Sequence, residues 1–209
     1  MKKVFTITIL SAMLLFAGKS NAQMGVHLGF APESWANENN TTDVNSFFVG
    51  VEDNLVLTGD LNLMVGLGLR YGTKSGSGSF YGLASGQHTI TLVGLDIPVL
   101  FNYNFKLGSN VSLGLFAGPK LSYSFVGKTK YEGNVLGLVS GSSEVEWFDD
   151  KAGALNLKPF NLSATFGLAI SYNQFRIYGG YNYGFLDVDN NDNIKTTVSG
   201  PFFGIGMNL

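Results

Sequence analysis

Two histidines, His27 and His88, are all the imidazole that the 209 residues carry, and there is no cysteine. A serine or cysteine nucleophile needs a base within hydrogen-bond reach and a third group to orient that base. No local run supplies that arrangement. The lack of cysteine also excludes thiol redox chemistry, cysteine-ligated zinc and a disulfide framework. No catalytic, cofactor-binding or metal site is therefore expected, and no cofactor. One acidic run, Asp187-Val188-Asp189-Asn190-Asn191-Asp192-Asn193, carries the first three oxygen ligands of a calcium loop. Its sixth position is Asp192 instead of glycine and its twelfth is Val198 instead of glutamate, so it reads as a polar loop tip.

The remaining candidates are single charges. Glu52, Arg70, Asp96, Lys120 and Arg176, joined by His27, stand on the small, polar face of runs whose other face is largely apolar. A buried charge without a partner is costly, so charges of both signs placed this way are expected to pair. The elements that carry them decide where they are buried. In residues 61–72, LNLMVGLGLRYG, one face holds Leu61, Leu63, Val65, Leu67, Leu69 and Tyr71. The other holds Asn62, Met64, Gly66, Gly68 and Arg70. This is period-two alternation over eleven residues, longer than the usual strand of about five or six.

Seven further runs alternate in the same way: 24–30, 47–57, about 88–103, 111–125, 162–172, 175–185 and 198–209. The connections alternate as well. Residues 58–60, 104–110 and 173–174 are short turns with suitable residues, whereas 31–45, 72–87, 126–159 and 186–197 are long and polar. Within the long second connection, Gly76-Ser77-Gly78-Ser79 reads as flexible linker chemistry. Short turns at one end and long loops at the other are the asymmetry of outer-membrane barrels. The face opposite the Leu/Val stripe is small and polar, which suits the narrow interior of eight strands, with the apolar face toward lipid. The expected fold is all-β: an eight-stranded antiparallel transmembrane β-barrel with short periplasmic turns and long extracellular loops. Aromatics near the strand ends, including Phe30, Tyr71, Tyr103, Phe105, Tyr123, Phe125, Tyr172 and Phe185, would form the interfacial belts. Glu52, Arg70, Asp96, Lys120, Arg176 and His27 become a polar network in the lumen, read as a structural plug, with Arg70 expected beside Glu52 or Asp96.

Bulk properties agree. Lys2 and Lys3 precede an apolar run over 4–17, and Ser20-Asn21-Ala22 offers small residues for cleavage, so 1–22 reads as a signal peptide and 23–209 as the barrel domain. Without Lys2, Lys3 and Lys19, ten basic residues face fifteen acidic ones, and no nucleic-acid partner is expected. Charged residues are 13% of the chain, about half the usual share. Beyond the signal, no stretch is apolar for eighteen residues, so a membrane could be crossed only by a closed barrel.

The motifs GVEDNLVLTGDLNLMVGLGLRY (50–71), LDIPVLFNYNF (95–105), LGLFAGPKLSY (113–123) and FGLAISYNQFRIYGGYNYGFLDV (166–188) resemble the PorT-like outer-membrane β-barrel family of Bacteroidetes-type bacteria. The likeness covers essentially the whole chain after the signal. It implies the barrel fold, a bacterial outer-membrane location, and contacts with outer-membrane lipids and with the barrel-insertion machinery during biogenesis. The chain ends in Leu209, where that machinery commonly meets an aromatic residue. Some members are linked to protein secretion. The leading functional expectation is a non-enzymatic barrel acting in structure or interaction through its external loops. A porin-like or secretion-accessory transport protein and a lipid-modifying enzyme are the alternatives. Trp35, Trp147 and Phe148 in the loops are candidate contacts for a protein partner, Trp147 alternatively sitting at the membrane rim.

Overall fold

The structure, a computed structural model, describes residues 23–80, 84–135, 139–149, 151, 153–190 and 194–209. The expected signal peptide lies outside them. Among the described residues nine strands form: β1 (Gln23–Ala36), β2 (Thr41–Thr58), β3 (Leu61–Phe80), β4 (Ala84–Lys106), β5 (Val111–Val135), β6 (Val139–Glu146), β7 (Phe160–Tyr172), β8 (Phe175–Gly184) and β9 (Thr197–Asn208). Every pairing between them is antiparallel. Eight strands, in the order β4-β3-β2-β1-β9-β8-β7-β5, close into a ring through a further β4–β5 pairing. β6 stands outside the ring and pairs only with the outer half of β5.

The ring's stagger can be followed residue by residue. Starting at Leu61 in β3, the paired positions are Tyr103, Leu115, Leu168, Gly179, Phe203, Phe30 and Phe47, and the path re-enters β3 at Tyr71. It returns ten residues above its start, which is the shear of the barrel. For eight strands this stagger tilts them by roughly 40°, so each residue climbs about 2.5 Å and the span from Leu61 to Tyr71 is about 25 Å. That is the height of the apolar band of an outer-membrane barrel.

Strand parity sorts the side chains. Leu69 is 51% exposed and its neighbour Arg70 3%; Ile177, Phe203 and Ile205 lie on the same outer surface as Leu69. Aromatics form two belts: Tyr103, Phe105, Tyr172 and Phe175 at the turn end, and Phe47, Tyr71, Tyr123, Phe125, Phe160, Tyr183 and Phe185 at the loop end, all exposed. The tight turns follow from local chemistry. Gly59 and Asn173 adopt left-handed backbone (φ 54 and 53), the conformation that the β2–β3 and β7–β8 hairpins require.

The long connections differ from expectation. Much of the expected loop chain is strand, because β2 to β5 continue past the membrane band while keeping their ladder. Residues 31–36 pair with 41–46. Gly76, Ser77, Gly78 and Ser79 pair with His88, Gln87, Gly86 and Ser85, so the expected flexible linker is ordered hairpin. The expected loop 126–159 contains the end of β5 and all of β6. Together the outer halves of β3, β4, β5 and β6 make a four-stranded blade reaching about 20 Å beyond the upper aromatic belt.

Candidate functional site

The lumen is filled in layers. Toward the turn end, Glu52 receives the Arg176 guanidinium on both oxygens (2.6 Å to Oε1 and 2.7 Å to Oε2). Its Oε2 also lies 3.0 Å from His27 Nδ1. The guanidinium carbon of Arg176 sits 4.8 Å from the centre of the Tyr178 ring, a cation–π contact. His27 packs edge-on against Phe48 and Tyr178, with ring centres 5.8 and 6.3 Å away. Gly50 is what admits the imidazole: a Cβ there would lie 2.4 Å from His27 Nε2 and 2.6 Å from the Leu67 carbonyl oxygen.

An apolar layer accompanies this set. Ala31, Met64, Leu100, Phe116, Ala169, Tyr178 and Phe202 are mutually packed and buried, with Phe48 against them. The interior is thus less polar than expected, since six of these eight positions carry large side chains on the inward parity. A cavity of about 80 Å³ remains, lined among others by His27, Glu52, Asp96, Lys120, Arg176 and Tyr178. It has room for a few waters and no more.

Above lies a second charged set. Arg70 donates from Nη1 to Glu33 Oε2 (2.6 Å), from Nε to Asp96 Oδ1 (3.3 Å) and from Nη2 to the Ser124 hydroxyl (3.1 Å). Lys120 Nζ stands 3.8 Å from Asp96 Oδ2. Arg70 faces inward beside Asp96, while Glu52 pairs with Arg176 instead. Three carboxylates, Glu33, Glu52 and Asp96, therefore face three cations, Arg70, Lys120 and Arg176. Sequence reasoning missed Glu33, having placed it in a loop. The signal was present: Ala31, Glu33 and Trp35 continue the parity of Gly25 and His27 past Pro32.

The mouth is closed by Trp35, Val44, Ile90, Leu92, Trp147, Val188 and Val198, with Phe148 and Leu157 packed on them. The exposed partner contact expected of Trp35, Trp147 and Phe148 is not where these residues lie. Trp147 is 3% exposed, meets Trp35 edge-on with ring centres 5.2 Å apart, and donates its indole N–H to Thr129 Oγ1 at 2.8 Å. It is equally not at the membrane rim. The cause is local: a register shift at Val93/Gly94 sets Val93 opposite Val126 and Gly94 opposite Ser124. The extra residue, Phe125, reverses the parity of β5, so Gly127 and Thr129 turn toward the mouth. Gly127 leaves the space that Phe148 occupies, 2.4 Å from where its Cβ would stand.

Neither histidine is hydrogen-bonded to a hydroxyl among the described residues. His27 holds Glu52, and His88 lies in the blade with its ring 6.3 Å from Tyr131. In the acidic run, Asp187 Oδ1 accepts the backbone N–H groups of Asp189 (3.0 Å) and Thr196 (2.9 Å). Burial raises the Asp187 carboxyl, but these two N–H groups with Lys158 and Lys195 nearby outweigh it and hold the group below its ordinary value.

On the blade's outer face, Lys128 bridges Glu144 (3.0 Å) and Lys130 bridges Glu132 (2.6 Å). Gly78, Gly86, Gly133 and Gly141 align in one row across its four strands. A Cβ at Gly78 or Gly141 would meet open space.

The sequence profile described as an outer membrane protein beta-barrel domain matches residues 13–190. No curated protein matches the chain. Among solved structures, the chain is similar to Ail, the attachment invasion locus protein of Yersinia pestis, in complex with the heparin analogue sucrose octasulfate. That match has 16% identity and a TM-score of 0.44, and covers 91% of this chain and 100% of that one. It is also similar to Neisserial surface protein A, at 14% identity and TM-score 0.45, with the same coverage. The N-terminal β-barrel domain of Pseudomonas aeruginosa OprF is 13% identical, with TM-score 0.31, 90% of this chain and 100% of that one.

Proposed function

The chain belongs to the outer membrane protein beta-barrel domain family and resides in the bacterial outer membrane, and from that premise we propose that it is a plugged, non-enzymatic scaffold. It presents the β3–β6 blade to a protein partner outside the cell. The observation that carries this reading is the filled lumen. Two charge-matched sets, an apolar layer and the Trp35–Trp147 lid lie along one narrow path, and the cavity left between the charged sets is about 80 Å³. A barrel built this way has nothing to conduct, so its useful surface is outside. The blade supplies that surface with ordered, paired strands and a glycine row whose inner side another backbone or side chain can approach closely. The PorT-like likeness of the strand motifs belongs to the same proposal, as does a contact with the insertion machinery during biogenesis. Transport is the weaker reading, because opening the lumen would separate buried ion pairs.

Planar-bilayer recording of the folded protein is the test: no steady ohmic current is expected, and a stable open conductance would overturn the plug. For the interaction, surface cross-linking should join the barrel to a partner. Replacing 130–144 by a two-residue turn should remove that product while the barrel still folds. A product unchanged by the replacement would place the interaction elsewhere.

A further inference from the structure

Between the aromatic belts, the lipid-facing surface of the ring carries one acid or base among the described residues. Asp53 stands on the outward parity of β2, with Val51 and Leu55 as its neighbours along that face and Met24 of β1 and Val65 of β3 as its cross-strand partners. Val65 is four residues above Leu61, and the stagger sets β2 about 3 Å below β3 at each pair, so Asp53 lies roughly 7 Å above the lower edge of the apolar band. The side chain is half-buried: its Oδ1 is covered by the protein and without a hydrogen-bond partner among the described residues, which leaves Oδ2 as the oxygen that a donor from the lipid could reach.

A charge on the lipid face destabilises a barrel in proportion to its depth, and an ionisable group held inside a membrane marks a function by default. Lysine or arginine at this depth could reach the headgroups along a flexible stem, but aspartate has one methylene and cannot. The donor must therefore come to Asp53. A second copy of the chain does not fit. A two-fold contact centred here sets Asp53 against Asp53, and elsewhere in the band this surface offers no lysine, arginine or histidine to meet it. A phospholipid of the periplasmic leaflet fits on three grounds. Its headgroup is already at the lower rim, its acyl chains match the aliphatic wall of Met24, Val51, Leu55, Leu63 and Val65, and a local dip of the bilayer has a small cost per ångström.

We propose that Asp53 holds the primary ammonium headgroup of a periplasmic-leaflet phospholipid against the β1–β3 face, thinning the bilayer there. The ammonium donates an N–H to the carboxylate and balances its charge. The site gives one side of the barrel a fixed lipid, and with it a preferred orientation toward neighbours in the membrane.

The test uses the folded full-length protein in detergent micelles, titrated with short-chain phosphatidylethanolamine or phosphatidylcholine and read by native mass spectrometry. The two lipids carry the same charges, but only the first has N–H donors. The wild type should bind phosphatidylethanolamine about fivefold more tightly, the scale of one charge-assisted hydrogen bond at a wet rim, and Asp53→Asn and Asp53→Leu should bind both lipids equally. Both variants remove a charge from the lipid face, so both should fold. Equal binding of the two lipids by the wild type, or a preference that survives in Asp53→Asn, overturns the proposal. So does a second protein, or a second copy of the chain, that is retained by the wild type and lost with Asp53→Asn.

Discussion

Arg70→Met removes the cation that the upper charged set is built around. The guanidinium is 3% exposed and bonds Glu33, Asp96 and Ser124. Lys120 remains, but at 3.8 Å from Asp96 it balances one carboxylate and leaves Glu33 with no cation in contact. Removing one partner of a buried ion pair costs about 3–5 kcal/mol, because the orphaned charge stays in a low-dielectric site. Methionine fills much of the stem's volume, so the packing loss is minor beside the charge. The assay is equilibrium urea unfolding of the barrel refolded into lipid vesicles, followed by tryptophan fluorescence. Trp35 and Trp147 sit directly above the network and report on it. Adding Glu33→Gln restores the balance of Asp96 against Lys120, and the double variant should recover about 2 kcal/mol, a coupling that independent sites would not show. A loss below about 1 kcal/mol for Arg70→Met, or a double variant no more stable than the single, would refute the reasoning that buried charge pairing holds this layer.

Three further perturbations check other parts of the interior. Gly50→Ala should destabilise the barrel by about 1–3 kcal/mol in the same unfolding assay, because a methyl there meets both the His27 imidazole and the Leu67 carbonyl oxygen. Trp147→Ala should cost about 3–5 kcal/mol of mouth packing and expose the β5–β6 hairpin to protease while the ring stays intact on cold gels. Asp187 is held below its ordinary carboxyl range, so its contribution is complete above the unfolded value and is lost as pH falls through the lower, folded one. Amide exchange at Thr196 should accordingly stay protected at pH 7 and open only in more acid solution, and Asp187→Asn should abolish that pH dependence.

Alternation alone determined which side of each strand faces lipid. Period two is a local property of the pleated chain, so the outward position of Leu69 and the inward position of Arg70 could be assigned without knowing any partner. The hairpin turns at Gly59 and Asn173 were legible for the same reason, since a left-handed turn residue announces itself within two positions. Parity also held the information that Glu33 and Trp35 point inward, but Pro32 and the polar residues after Ala36 made that stretch look like loop. What only the tertiary structure decided depends on residues far apart in sequence. The β1–β9 pairing brings Arg176 of β8 to Glu52 of β2, three strands away, and the stagger of β1 to β3 brings Arg70 to Glu33, two strands away, because strands that are not neighbours meet only across the lumen once the register is set. The fate of Trp147 depended on one extra residue, Phe125, whose bulge reverses parity and converts an expected exposed loop into the lid of the lumen. Parity is read along a strand; partnership across a barrel is read only from its closure.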